Sequence, residues 1–366
     1  MQRIGISTGG GDAPGLNAVI RAIVLSATNY GWQCVGIRDG YNGLLLPEKY
    51  PAGDGLIPLN RDRVRGITHL GGTILGTTNR GNPLRFPVPT ADGQIQEVDR
   101  TAELVAALQK ANIEALIAIG GDGSMEIAHH LSHKGVRVIG VPKTIDNDLD
   151  GTVVTFGFNT AVSFATECLD RLHSTAESHQ RLMVVEVMGR HAGWIALCAG
   201  VAGSADAILL PEIPYDIEKV AEKIRRRDAA GRHFSIIVVA EGAKPAGGTL
   251  STLGQREPGR AERLGGIGQK VGAELEALTG RETRVVVLGH LQRGGSPTTE
   301  DRLLGLRFGA AAIRALVEGQ SGVMVAIDPP YVQYVPLEQA TSRMKAVPFD
   351  GDIMLTGRDL GICFGD

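Results

Sequence analysis

Val136-Arg137-Val138-Ile139-Gly140-Val141 runs directly into Pro142-Lys143-Thr144-Ile145-Asp146-Asn147-Asp148. The first stretch is an apolar run of strand length and predicts a buried strand ending at Val141. The second is irregular. It carries two carboxylates two residues apart, with a lysine and a threonine beside them. In open α/β sheets, ligands bind just past such strand ends. A cation, a hydroxyl and two acids on one short loop suit phosphate and metal chemistry. One acid can take a proton from an attacking hydroxyl while the other helps hold a magnesium ion. Asp and Asn also cap turns, so on these residues alone an Asx-rich turn fits equally well.

Outward from this loop, apolar runs alternate with helical patterns, which predicts parallel α/β architecture. Strands are expected at 3–8, 115–119, 182–187, 235–240 and 285–288. Helices are expected at about 16–28, 102–111, 125–134, 158–178, 194–201, 217–229, 267–278 and 302–317. Two loops stand apart. Residues 79–93 are rich in Gly, Pro and Arg and suit a loop over a ligand. Residues 243–266 are rich in Gly and polar residues and read as a mobile insertion.

A length of 366 residues suggests two domains. With 43% hydrophobic and 21% charged residues the composition is that of a soluble globular protein. A net charge of −3 gives no electrostatic reason to expect nucleic acid or an anionic membrane as partner. Aromatics at 4% argue against a base-stacking surface. Cys34, Cys168, Cys198 and Cys363 are too scattered for a CxxC metal or redox motif. No apolar run approaches the ~20 residues of a membrane span, and the N-terminus enters a strand without a signal-peptide pattern. A reduced, cytoplasmic protein is the expectation.

Two glycine-rich turns follow predicted strands. Gly9-Gly10-Gly11-Asp12-Ala13-Pro14-Gly15 precedes a helix, so backbone N–H groups and a helix N-terminus can face a phosphate. Such a turn also suits dinucleotide binding, with Asp39 after Val35-Gly36-Ile37 as the acid closing the second strand. Gly120-Gly121-Asp122-Gly123-Ser124 is more specific. Its glycines leave room for a polyphosphate, Asp122 suits the accompanying magnesium, and Ser124 reads as the helix N-cap. Kinases of NAD and of diacylglycerol share this turn, so it names phosphoryl transfer from a nucleotide better than it names an acceptor.

Three further strand ends carry charged groups: Met188-Gly189-Arg190-His191, Glu241-Gly242, and Gly289-His290-Leu291-Gln292-Arg293-Gly294-Gly295. Arg181 precedes its strand and Arg284 opens the one leading to His290. Arginine forks match phosphate, and Glu and His accept from sugar hydroxyls, so an anionic sugar phosphate accounts for the set. Singly, each arginine fits a solvated surface position and each histidine a structural one.

With these residues assembled, the chain resembles the 6-phosphofructokinase A family. GGGDAPGLNAVIR, GGDGS, PKTIDND, ESHQR, EVMGR and ETRVVVLGHLQRGGSP occur in that family's order and spacing, over nearly the whole chain. The resemblance implies two doubly wound, Rossmann-like α/β lobes with the active site in the cleft between them. The nucleotide lobe would be 1–157 plus 293–343, and the sugar-phosphate lobe 158–292 plus 344–366. It implies phosphoryl transfer from Mg-ATP to O1 of fructose 6-phosphate in a homotetramer.

By resemblance, Gly11, Gly121, Asp122, Gly123 and Ser124 face the nucleotide phosphates. Asn79 and Arg80 lie where adenine and phosphate contacts are expected. Asp122 and Asp148 would hold Mg2+. Asp146 would be the general base, aided by Thr144 and by Arg190 as charge stabiliser. Ile145, Met188, Gly189, Glu241, His290, Leu291, Gln292 and Arg293 fall in the sugar-phosphate segments. Arg181 and Arg284 match arginines that reach that site from a neighbouring subunit.

The chain also departs from the commonest pattern. Gly123 matches ATP users, whereas Lys143 matches the pyrophosphate users, leaving a pyrophosphate-dependent phosphotransferase as the alternative. Arg21 matches an effector-site arginine, but Leu25 and His173 replace two others, so effector control is expected to differ. A different GGDGS kinase lacks a use for Asp146 and the 290–293 segment. A sugar-phosphate sensor without activity needs neither Asp146 nor Asp122.

Overall fold

The computed structural model describes residues 2–90, 94–252, 254 and 264–366. Its strands are β1 (Arg3–Thr8), β2 (Gln33–Ile37), β3 (Leu56–Leu59), β4 (Phe86–Pro89), β5 (Ile95–Val98), β6 (Ala115–Gly120), β7 (Val138–Thr144), β8 (Phe156–Gly157), β9 (Leu182–Val187), β10 (Ala207–Leu209), β11 (Ser235–Ala240), β12 (Thr283–Val287), β13 (Val323–Asp328) and β14 (Tyr331–Pro336). Apolar runs without alternation become strands covered on both faces. Accordingly every residue of β6, β7, β9 and β11 is buried.

Among the described residues, eight strands form one sheet. Seven lie in the order β14-β13-β7-β6-β1-β2-β3, and β8 adds beside β7. The interior pairs are parallel, while β3 and β14 close the two edges antiparallel. The helices Leu16–Asn29 and Thr299–Val317 cover one face, through Leu16, Ile20, Ile23, Phe308 and Ile313. Thr101–Lys110 and Asp122–His133 cover the other, through Leu104, Leu108, Met125 and Leu131.

Four strands form a second, wholly parallel sheet in the order β10-β11-β9-β12. Successive residues of β9 serve opposite faces. Val185 packs with the helices Phe158–His179 and Trp194–Ala202, and Val184 with Ile217–Ala229 and Ile267–Thr279. Both sheets are therefore doubly wound. The first sheet switches between β1 and β6, and in the second β9 and β11 lead into helices on opposite faces; such switch points open crevices at the carboxyl ends of the strands.

The chain passes from the first sheet to the second after β8 and returns after β12. After β14 it crosses again, where Cys363 bridges to Ala207 of β10. No helix of the described residues is long and apolar enough to cross a membrane.

Several boundaries differ from the sequence expectation. The strand expected to end at Val141 continues to Thr144, because β8 pairs with Lys143 and Thr144. The strand expected at 285–288 spans Thr283–Val287, drawn back by pairing of Thr283 and Arg284 with Leu182 and Met183. The helix expected from 125 begins at Asp122, so Gly121 is its N-cap and Ser124 lies inside the first turn. Of the 79–93 segment, residues 91–93 lie outside the described residues, and the rest is not all loop, since β4 pairs antiparallel with β5. Of the 243–266 insertion, residues 253 and 255–263 lie outside the described residues, and the Thr252–Leu264 bridge joins its flanks.

Candidate active site

The turn after β1 is tied to its surroundings by its own backbone. Gly9 N donates to Ile119 O (2.9 Å), Gly10 N to Thr78 O (3.3 Å), and Thr77 Oγ1 donates to Gly10 O (2.6 Å). Gly11 sits between two cations. Its carbonyl accepts from Lys143 Nζ, and a Cβ on it would stand 2.7 Å from Arg293 Nη1. Asp39, the acid a dinucleotide site would use, accepts instead from Tyr50 Oη (2.7 Å).

The second turn needs its glycines for close packing. A Cβ at Gly120 would meet Ser124 Oγ at 2.1 Å. The Ser124 side chain is thus lodged against the end of β6 rather than capping the helix. Gly123 differs, since a Cβ there would meet nothing within 4 Å and would project into open space. Asp122 opens the helix. Desolvation, then Asp148 and Glu126, hold its carboxyl above the usual range.

Past β7 the backbone turns through Asn147, at φ 53°. That left-handed conformation suits Asn, whose side chain bonds locally. Here Asn147 Oδ1 accepts from Thr155 N (3.1 Å) and Lys345 Nζ (2.8 Å). Thr144 Oγ1 accepts from Asp146 N (3.1 Å). The Ile145 side chain is fully buried in the second sheet's core, so only its backbone is open to a ligand role. Asp146 is 4% exposed. Burial raises its pKa, against the opposing pull of Arg293, Arg190 and Lys143. Burial, then Asp146, pushes Asp148 up to about 6. Lys143 is lowered to about 8 by burial, then by Arg293.

From the second sheet, β9 ends in Met188, Gly189 and Arg190. Arg190 adopts φ 52°, and its backbone N donates to Glu241 Oε1 (3.0 Å) at the end of β11. Gly242 must be glycine, because a Cβ would stand 1.9 Å from Arg190 O. Desolvation raises Glu241 to about 7, with Asp146 adding to the rise. After β12 the 3-10 turn Gly289–Arg293 exposes His290 and Leu291 and buries Gln292, while Arg293 Nη1 donates to Asp12 O (3.2 Å). Asp146, Glu241, Arg190 and Arg293 thus share one electrostatic neighbourhood drawn from both sheets.

A cavity of about 340 Å3 is lined by Asp122, Asp148, Arg190 and His191, together with Thr341, Ser342, Arg343 and Met344. The Oδ1 atoms of Asp146 and Asp148 are buried without a hydrogen-bond partner among the described residues. A partnerless carboxylate oxygen beside Asp122 fits a hard cation. No group of three or more ligating side chains is present among the described residues. Magnesium completes such a shell with water and ligand phosphates.

Not every sequence-predicted residue joins this group. Arg80 lines a second cavity of about 360 Å3 with Asn42, Phe86, Val88 and Arg100, and exposed Asn79 lines neither. Arg181 and Arg284 both pair with Glu282 at the opening ends of β9 and β12. Conversely, the 341–345 segment enters the site without any motif to announce it.

Residues 3–316 match the family model described as phosphofructokinase. The chain belongs to the phosphofructokinase family. Relatives within the family agree over the full length. An ATP-dependent 6-phosphofructokinase of Chloroflexus aggregans is 53% identical, covering 100% of this chain and 98% of that protein. A pyrophosphate–fructose 6-phosphate 1-phosphotransferase of Amycolatopsis methanolica is 48% identical, covering 94% and 96%. The phosphofructokinase structure from Saccharomyces cerevisiae superposes with a TM-score of 0.79 at 30% identity, covering 93% of this chain and 45% of that one. The two α/β lobes described above are the phosphofructokinase fold.

Proposed function

We propose that this phosphofructokinase transfers the γ-phosphoryl group of ATP to O1 of D-fructose 6-phosphate, giving fructose 1,6-bisphosphate and ADP, in the glycolytic direction. The observation that carries the reading is Asp146. It is a buried carboxylate with a partnerless oxygen, flanked by Arg190, Arg293 and Lys143. Asp146 takes the proton of the O1 hydroxyl as O1 bonds to the γ-phosphorus. The bond from that phosphorus to the β-bridging oxygen breaks, and ADP leaves with the oxygen. Arg190 stabilises charge on the transferring group, and Thr144 fixes the Asp146 backbone.

Gly11, Gly121, Asp122, Gly123 and Ser124 form the donor-phosphate turns, with Asn79 and Arg80 towards the nucleoside. Asp122 and Asp148 are the residues that would hold Mg2+, which supplies charge neutralisation between the phosphates when bound. Ile145, through its backbone, Met188, Gly189, Glu241, His290, Leu291, Gln292 and Arg293 form the sugar-phosphate side. Residues 1–157 plus 293–343 form the nucleotide lobe and 158–292 plus 344–366 the sugar-phosphate lobe. The enzyme works in the cytoplasm as a homotetramer, with Arg181 and Arg284 completing the neighbour's site.

Two observations bear on the donor. Open space at Gly123 leaves room for a nucleotide α-phosphate, and Lys143 Nζ is engaged by the Gly11 carbonyl. Assay of the purified enzyme with ATP and with pyrophosphate decides it. Turnover is expected with ATP, and turnover with pyrophosphate alone overturns the assignment. Asp146→Asn is expected to lower kcat by ~10²–10⁴ while fructose 6-phosphate still binds.

A further inference from the structure

Lys345 lies in the segment after the helix Leu337–Ser342, outside every motif that marks the active site. Its Nζ donates to Asn147 Oδ1 (2.8 Å), Thr152 O (2.9 Å) and Val153 O (3.0 Å). These three acceptors use the three donors of an ammonium group. Its backbone N donates to Asp148 O (2.8 Å). The same residue also reaches the second lobe. Trp194 Nε1 donates to Lys345 O (2.8 Å), and Nζ stands 5.6 Å from the Trp194 ring centroid. Two residues on, Val347 N donates to Glu212 Oε1 (2.9 Å), the oxygen that also accepts from Gly193 N (3.0 Å).

Asn147 is the residue between Asp146 and Asp148, and it sits at positive φ. The conformation of that one residue sets how far apart the two acids stand. Lys345 grips it from both sides, through the Asn147 side chain and through the Asp148 carbonyl. Bonds to Trp194 and Glu212 then register this grip against the second lobe.

We infer that Lys345 is a positioning residue for phosphoryl transfer, holding Asp146 and Asp148 in register with each other and with the sugar-phosphate lobe. The inference rests on the proposed roles of Asp146 and Asp148. Its consequence is confined to the chemical step. Lys345 itself lines neither cavity and lies outside the substrate segments, so its loss displaces the acids without removing a substrate contact. A displacement near 1 Å at reacting groups costs ~10²-fold in rate.

The test compares Lys345→Met, Asn147→Ala, the double variant and Asp146→Asn in the full-length enzyme, with thermal melts to establish folding. Lys345→Met is expected to lower kcat ~10–100-fold with both KM values within about threefold, and the double variant to lose no more than the worse single variant. Trp194→Phe, which removes the indole donor and keeps a smaller aromatic ring, is expected to lower kcat a few-fold with KM unchanged. Lys345→Ala is expected to regain turnover with added n-propylamine. Near-normal kcat in a folded Lys345→Met enzyme, or losses that add in the double variant, overturns the inference if Asp146→Asn is inactive. An active Asp146→Asn enzyme overturns instead the reading on which it rests.

Discussion

Asp146 is a carboxylate that folding has made reluctant to ionise. Desolvation raises its pKa, and Arg293, Arg190 and Lys143 only partly oppose the rise. Asp148 at about 6 and Glu241 at about 7 are raised for the same first reason. The sign is the same for all three: below its pKa each is protonated. A protonated Asp146 cannot take the O1 proton, and a protonated Glu241 loses charge near Arg190. We therefore expect kcat/KM for fructose 6-phosphate to fall on the acid side, starting near pH 7 and steepening below about 6 to tenfold or more per unit. Glu241→Gln should remove the step near 7 and leave the lower one. A profile flat from pH 8 to 5.5 would contradict the assignment. Bound magnesium favours the ionised acids, so the kcat limb should lie below the kcat/KM limb.

At the scale of elements, two helix starts carry different burdens. The helix Asp122–His133 begins in the glycine turn proposed to hold the donor phosphates, and Gly123 faces open space. Gly123→Asp is thus expected to fold normally, since an acid in a first turn suits the helix dipole. Its kcat/KM for ATP should fall ~100-fold or more, the scale of a like-charge clash worth about 3 kcal/mol. Retained ATP turnover in that variant would place the α-phosphate elsewhere. The helix Phe158–His179 begins at the crossing between lobes, and a residue of another helix caps it. Asp301 accepts from Gly157 N (2.9 Å), Thr160 N (2.7 Å) and Thr160 Oγ1 (2.6 Å) and is 1% exposed. Asp301→Ala leaves three buried donors unmet, so a loss of about 2–4 kcal/mol is expected in chemical denaturation. A loss under 1 kcal/mol would show that water replaces the cap.

At the scale of the molecule, the position of Arg181 and Arg284 is decisive. Each stands at the start of its strand, and the six residues of β9 put about 20 Å between Arg181 and the Met188–Arg190 end. Within one chain they cannot serve the site they resemble. Closed symmetric association would bring them to a neighbour's cleft. An Asp146→Asn chain and an Arg181→Ala chain, each nearly inactive, should recover part of the activity when mixed under subunit exchange. Full activity in a verified monomer, or no recovery despite proven exchange, would exclude the shared site.

The sequence by itself determined the parallel α/β architecture and where along the chain the candidate site's residues stand. Largely apolar runs at 182–187 and 235–240, interrupted only by Glu186 and opened by Ser235, match β9 and β11 residue for residue, because a strand buried on both faces draws on such runs. Gly11, Asp122, Asp146, Arg190 and Glu241 were legible because each stands at a strand end, where the α/β sheet presents its ligands. Tertiary structure decided what depends on distant partners. β7 extends to Thr144 only because β8 returns beside it. Ser124 leaves the cap because it packs against Gly120. The 341–345 segment reaches the cleft from almost two hundred residues away, with Lys345 on Asn147 and Arg343 Nε on Asp150 at 2.6 Å. No local pattern encodes such contacts, since they arise only when the last crossing of the chain docks the C-terminal segment against both lobes.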